Sequence, residues 1–139
     1  AAFNLEDFDF LIEKDGQYEL APKRNAKLHK ELGEIDNAEQ YVIIATKAGF
    51  YPCYNCGKLT SIFLNVGEVW KYGVTRIGRE RRYGKLEILP GLTYLKQYSG
   101  DYGTCLKLEK IKIYNYALLP ENLNRSTPLI RPPGNKVDL

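Results

Sequence analysis

"TSIFLNVGEVWKYGVTRIGRERRYG", residues 60–84, is the stretch on which the fold of this chain turns. Its first half holds two β-rich runs, "TSIFLN" and "EVWKYGVT", joined at Val66-Gly67, which predicts a β-hairpin. Its second half holds "RERRYG", a short predicted helix. From Lys71 to Lys85 there are six basic residues and one acid, Glu80. Like charge gathered this closely on a near-neutral protein is a footprint for a polyanion, phosphate above all; the plainer alternative is a solvated face.

Outward from this stretch the elements continue in order. "LTYLKQYS" predicts a third strand and residues 103–116 a second helix. Hairpin, helix, strand and helix define an α+β domain with a small, mostly antiparallel sheet and flanking helices. Upstream, "EQYVIIATKAGFYPCYNCG" starts as a β-branched strand and closes on turn residues. "APKRNAKLHKELGE" predicts a helix, with Pro22 in the first turn and Gly33 at the end. Residues 1–20, with six acids and one base, form an arm with a turn at Asp15-Gly16. The tail, "LLPENLNRSTPLIRPPGNKVDL", is expected to be extended, because its prolines exclude helix. Residues 1–40 are thus an N-terminal arm and helix, and residues 41–139 the functional domain.

Composition narrows the class. At 139 residues, with 44% hydrophobic and 27% charged content, the chain is one ordinary globular domain rather than a disordered one. The longest apolar run, "YVIIA", is too short to span a bilayer. There is no signal-peptide pattern and no methionine, which suggests a piece excised or processed from something longer. Three cysteines make no disulfide framework. Cys53 and Cys56 in "CYNC" read as half a zinc site, a disulfide or neither. Only Cys105 and His29 would complete a zinc site, and neither has motif spacing.

One acid stands out. On a helical wheel of residues 103–116, Cys105, Leu106, Ile113 and Tyr116 fall within roughly 60° of Glu109. A carboxylate in an apolar stripe is costly unless it is paired or binds a metal. It therefore reads either as a structural salt bridge to a nearby arginine or as a metal-binding or catalytic carboxylate.

A hairpin ending in aromatic-X-Gly-X-Thr type, an arginine on a short helix and one glutamate on a later helix together resemble the GIY-YIG nuclease fold, over residues 61–116. "KYGVT" looks like its second motif in a form with lysine at the first tyrosine, so Lys71, Tyr72 and Gly73 take the three motif positions. The helical arginine falls on Arg81 or Arg82, and Glu109 matches the metal-binding glutamate. For the first motif, "SIF" at Ser61–Phe63 has the place in the hairpin but no hydroxyl, while "GFY" at Gly49–Tyr51 has the hydroxyl but lies upstream. A second resemblance, carried by "GFYP", "GEVWKYGVT", "RY", "EKIKIYNY" and "RPPGN" over about residues 49–136, is to C-terminal toxin domains of bacterial polymorphic toxins, which are secreted or contact-delivered.

The resemblances imply a metal-dependent endonuclease toxin, with DNA favoured over RNA as substrate, acting in the cytoplasm of a target bacterial cell and countered by an immunity protein. Glu109 would hold one Mg2+ or Mn2+ ion. Arg82, or Arg81, would clamp the scissile phosphate. Lys71, Tyr72 or Tyr51 would orient or deprotonate the water, lysine only with a lowered pKa. Arg76, Arg79, Tyr83, Lys85 and Asn135 would hold nucleic acid, Asn135 having a tight turn as its equal alternative. The competing classes are a non-catalytic nucleic-acid-binding module and a protein-interaction module, both using the basic stretch 76–85.

Overall fold

The computed structural model describes residues 9–76 and 89–138. Arg79, Arg81, Arg82, Tyr83 and Lys85 lie outside the described residues, as does the short helix expected over "RERRYG". The described chain is α+β, with small antiparallel sheets and helices packed on them.

The N-terminal strands β1 (Leu11–Lys14) and β2 (Gln17–Leu20) pair antiparallel around Asp15-Gly16. Both turn residues have positive φ, 52° and 80°, the requirement of a type I′ hairpin turn, and an Asp-Gly pair meets it cheaply. Helix α1 spans Pro22–Asp36, with proline in its first turn as expected. It runs past Gly33 because Asn37 closes it instead, donating from Nδ2 to the Gly33 carbonyl at 2.8 Å.

Strand β3 (Ala38–Ala45) is the centre of the molecule. It pairs antiparallel with β6 (Val69–Arg76) on one side and β7 (Leu92–Gly100) on the other, giving the order β6-β3-β7. "YVIIA" is apolar on both faces, which suits a strand covered above and below. The expected hairpin at Val66-Gly67 is therefore corrected. β5 (Ser61–Leu64) pairs with β4 (Gly49–Pro52), not with β6. A two-residue hairpin turn of the I′ type needs positive φ at both central residues, and only Gly67 has it, at 87°. Val66 is β-branched and resists that region. The segment instead makes a four-residue turn, Glu68 N–H donating to Asn65 O at 3.1 Å, and Gly67 N–H docks on Ala45 O at 2.7 Å at the end of β3.

Two packed layers cover the sheet. On one face Tyr41, Ile43 and Ala45 meet Tyr51, Leu64, Trp70 and Leu92, so the β4–β5 hairpin is the lid. On the other, Val42 and Tyr72 meet Ile113, Tyr116 and Leu129, supplied by helix α2 (Tyr102–Asn115) and the tail. A β-bulge in the β3–β6 pairing between Ile43 and Ile44 inserts Trp70, which is why Trp70 and Tyr72, two apart in sequence, belong to opposite layers. Helix α2 matches its expected span. Asp101 caps it, accepting from Thr104 N–H at 2.8 Å.

The tail is not simply extended. Tyr116–Leu118 form a 3-10 turn and α3 (Pro120–Leu123) a single helical turn, with Pro120 at the first position, where a missing N–H costs nothing. Beyond it, Pro132, Pro133, Gly134 and Asn135 are buried. Asn122, also buried, holds this fold: Nδ2 donates to Ala117 O and Leu129 O, and Oδ1 accepts from Leu129 N–H and Arg125 Nη1.

Cys53 and Cys56 form a disulfide and Cys105 is a buried free thiol, so these cysteines do not assemble a zinc site. The ring they close is short. Cys53→Ser/Cys56→Ser is expected to cost about 2 kcal/mol by the chain-entropy relation. Urea unfolding of the two proteins measures this, and the double variant is expected to keep any cleavage activity.

Candidate active site

Strand β6 is an edge strand, and an edge strand exposes every second residue's N–H and C=O. In this protein the outward groups are occupied one after another. Val69 N–H donates to Glu121 Oε2 at 2.9 Å. Trp70 O accepts from Gly134 N–H at 2.6 Å. At Tyr72, the Asn135 side chain takes both groups: its Oδ1 accepts from Tyr72 N–H at 3.0 Å and its Nδ2 donates to Tyr72 O at 2.9 Å. Two residues further on, Val74 presents its backbone in the same direction, where it lowers the pKa of the Glu109 carboxyl.

Helix α2 brings Glu109 to that edge. Cys105, Glu109 and Ile113 are its buried residues, spaced four apart on one stripe. Tyr116 is buried as the wheel expected, but Leu106 is not: it is 40% exposed. Glu109 itself is 8% exposed. Burial pushes its carboxyl up to about 7, and the charges of Lys71 and Lys110 and the Val74 backbone pull the other way. Among the described residues no arginine acts on Glu109; the cations that do are Lys71 and Lys110.

The other candidate residues fall as follows. Lys71 lies on β6 and its charge acts on Glu109. Tyr72 packs in the α2 layer, and burial first, then Glu121 and Tyr116, pushes its phenol up to about 12. At neutral pH it keeps its proton. Tyr51 belongs to the opposite layer, and its hydroxyl donates to Lys47 O at 2.6 Å, with Gly91 O at 3.2 Å. It pins the loop after β3 to the start of β7 rather than joining Glu109. Arg76 stacks on Tyr102, 4.4 Å from the ring centroid, and sits 3.9 Å from Glu34. Asn135 is buried in the tight tail and committed to the β6 edge.

The structure also brings forward a residue the sequence reading passed over. Tyr41 on β3 lies directly opposite Gly73 in the β3–β6 register. Its ring stacks on Tyr94 at 4.6 Å, and Tyr94 in turn donates to buried Glu39 at 2.9 Å. A Cβ on Gly73 would run into the Tyr41 ring. Gly73→Ala is therefore expected to destabilise by about 1–3 kcal/mol through overpacking, read as a lower unfolding midpoint. The tyrosine was visible in "EQYVIIA", but its place opposite "KYG" follows only from the long-range pairing.

Among the described residues, no group of three or more His, Cys, Asp and Glu side chains comes together. A divalent ion at Glu109 would thus have at most two such side chains from these residues. That fits magnesium, which keeps several waters and binds through one or two carboxylates plus substrate phosphates. No helix among the described residues is long and apolar enough to cross a membrane. Comparison with protein-family models, curated proteins and solved structures gives no match to this chain.

Proposed function

We propose that this protein is a metal-dependent endonuclease of the GIY-YIG type, serving as the toxin domain of a secreted or contact-delivered bacterial protein. The observation that carries the reading is Glu109, a buried, lysine-flanked carboxyl at the edge of the "KYGVT" strand with no arginine counter-charge among the described residues. A structural acid in this position gains little from being buried, whereas a carboxylate that exchanges a proton for a cation gains function. The antiparallel pairing of the "KYGVT" strand with a central strand, crossed by the helix that bears Glu109, supports the same reading.

The substrate is a phosphodiester, DNA favoured over RNA. When bound at Glu109, a divalent ion of the magnesium type supplies Lewis-acid polarisation of the phosphoryl oxygen. Glu109 binds as the carboxylate, so its function grows as pH rises through about 7. Arg82, or Arg81 one position earlier, clamps the phosphate with a bidentate pair. Of Lys71, Tyr72 and Tyr51, Lys71 is the one whose charge acts on Glu109. Tyr72 keeps its proton at neutral pH and serves only as a donor, and Tyr51 is spent on backbone carbonyls. The remaining bases between 71 and 85 hold the backbone without reading sequence. Action in the cytoplasm of a target cell and capture by an immunity protein belong to the same proposal.

The test is nicking of supercoiled plasmid by the purified protein with magnesium or with a chelator. Nicking that the chelator stops supports the proposal. Binding without nicking in either condition identifies a nucleic-acid-binding module instead, and neither binding nor nicking leaves the basic face to a protein partner.

A further inference from the structure

Tyr54 is half exposed, in the centre of the ring closed by the Cys53–Cys56 disulfide. An exposed aromatic on a loop is ordinarily loosely held, but this one is fixed from several directions. Its own N–H donates to Pro133 O at 2.9 Å. The adjacent Asn55 donates from Nδ2 to Pro132 O at 2.8 Å and Asn135 O at 2.6 Å, and accepts from Arg131 Nη1 at 2.6 Å. Arg131 is itself held by Asp138 at 2.6 Å. None of these bonds buries the Tyr54 ring; they hold its backbone while leaving the ring in solvent. The Lys136 ammonium lies over one face of the ring, 4.9 Å from its centroid, which leaves the opposite face for a stacking partner.

The position of this pair is defined by the same contacts. Lys136 follows Asn135, whose amide is bonded to the backbone of Tyr72, and Tyr72 lies on the strand whose Lys71 charge and Val74 backbone act on the Glu109 carboxyl. The platform is therefore tied through one side chain to the strand that forms the candidate active site. The band continues the other way: Lys110, next to Glu109, donates to Asp138 O at 3.2 Å and lies 5.6 Å from the ring centroid of exposed Tyr114.

We infer that Tyr54 and Lys136 form a subsite for an unpaired nucleotide flanking the scissile phosphate, the base stacking on the Tyr54 ring and its phosphate meeting the Lys136 ammonium. The inference rests on the nuclease reading above and adds to it a preference for single-stranded substrate. An exposed ring stacks any base, because every base has a π-face, and a paired base does not offer its face. Rigidity matters because the loop's order is already set before the strand arrives.

The test uses the full chain carrying Glu109→Gln, so that binding is measured without cleavage, with fluorescent single-stranded DNA, single-stranded RNA and duplex DNA as probes. Tyr54→Ala in this background is expected to weaken single-strand binding by about tenfold or more and leave duplex binding unchanged. Tyr54→Phe is expected to restore single-strand binding, since it keeps the ring. Lys136→Gln is expected to flatten the single-strand log–log salt slope by about 0.7. Equal single-strand affinity for Tyr54→Ala and its parent overturns the subsite while leaving the nuclease reading in place. A parent that binds none of the three probes overturns both.

Discussion

Glu109→Gln is expected to abolish cleavage, by at least about a hundredfold, while leaving the fold and most nucleic-acid binding intact. The change is nearly isosteric and removes only the charge that would hold a cation. The same variant carries a second expectation that does not depend on catalysis. Burial raises the Glu109 carboxyl from the ordinary value of 4.5 to about 7 in the folded protein. The folded state therefore holds this proton more tightly than the unfolded state. Stability from this group is fully present below about pH 4.5 and is lost as pH rises through about 7. At pH 8 the buried charge costs up to about 3 kcal/mol. With a chelator present, Glu109→Gln is thus expected to be more stable than the parent at pH 8, and the gap is expected to close towards pH 4.5. Urea unfolding at both pH values reads it. A gap that is flat with pH would mean that the carboxyl is not desolvated as described.

Asn135→Ala is expected to cost roughly 2–4 kcal/mol. Its amide satisfies one donor and one acceptor of Tyr72 on a buried strand edge. Alanine leaves both backbone groups without that partner, and each unsatisfied buried group costs about 1–3 kcal/mol, partly recovered by water. Because Asn135 also ties the tail to the strand bearing Lys71, cleavage is expected to fall even at temperatures where the variant remains folded. Asn135→Asp separates geometry from charge: it keeps the acceptor for Tyr72 N–H but sets a second oxygen against Tyr72 O. It is expected to be at least as damaging. Unfolding midpoints together with single-turnover rates decide the case, and an Asn135→Ala protein as stable as its parent would show that the clamp is dispensable.

How these residues were legible in the sequence follows from the range of the interactions involved. Helix α2 and the stripe that carries Glu109 are a local pattern, and the wheel placed Cys105, Ile113 and Tyr116 with it correctly. Leu106 was misplaced because the stripe is narrower than a 60° window, the neighbouring flank of the helix being left to solvent. The turn at Asp15-Gly16 was equally local. The pairing of β6 was not. Proximity in sequence favours β5 as its neighbour, but the partner of "VWKYGVTR" is "AEQYVIIA", buried at all but Ile44, some thirty residues upstream. The choice is made by burial on both faces of β3, which only the assembled layers reveal. The role of Asn135 was hidden for the same reason. "PPGN" reads locally as a tight turn, and its bond to an edge strand lies 63 residues away.

Whether Glu109 holds a divalent cation is read directly from an anomalous-scattering map of crystals soaked in manganese. An anomalous peak is expected about 2.1–2.2 Å from a Glu109 carboxylate oxygen, at the edge of β6, and no such peak in Glu109→Gln crystals. A Glu109 carboxylate that stays against the Val74 backbone with no peak beside it at saturating manganese would contradict it.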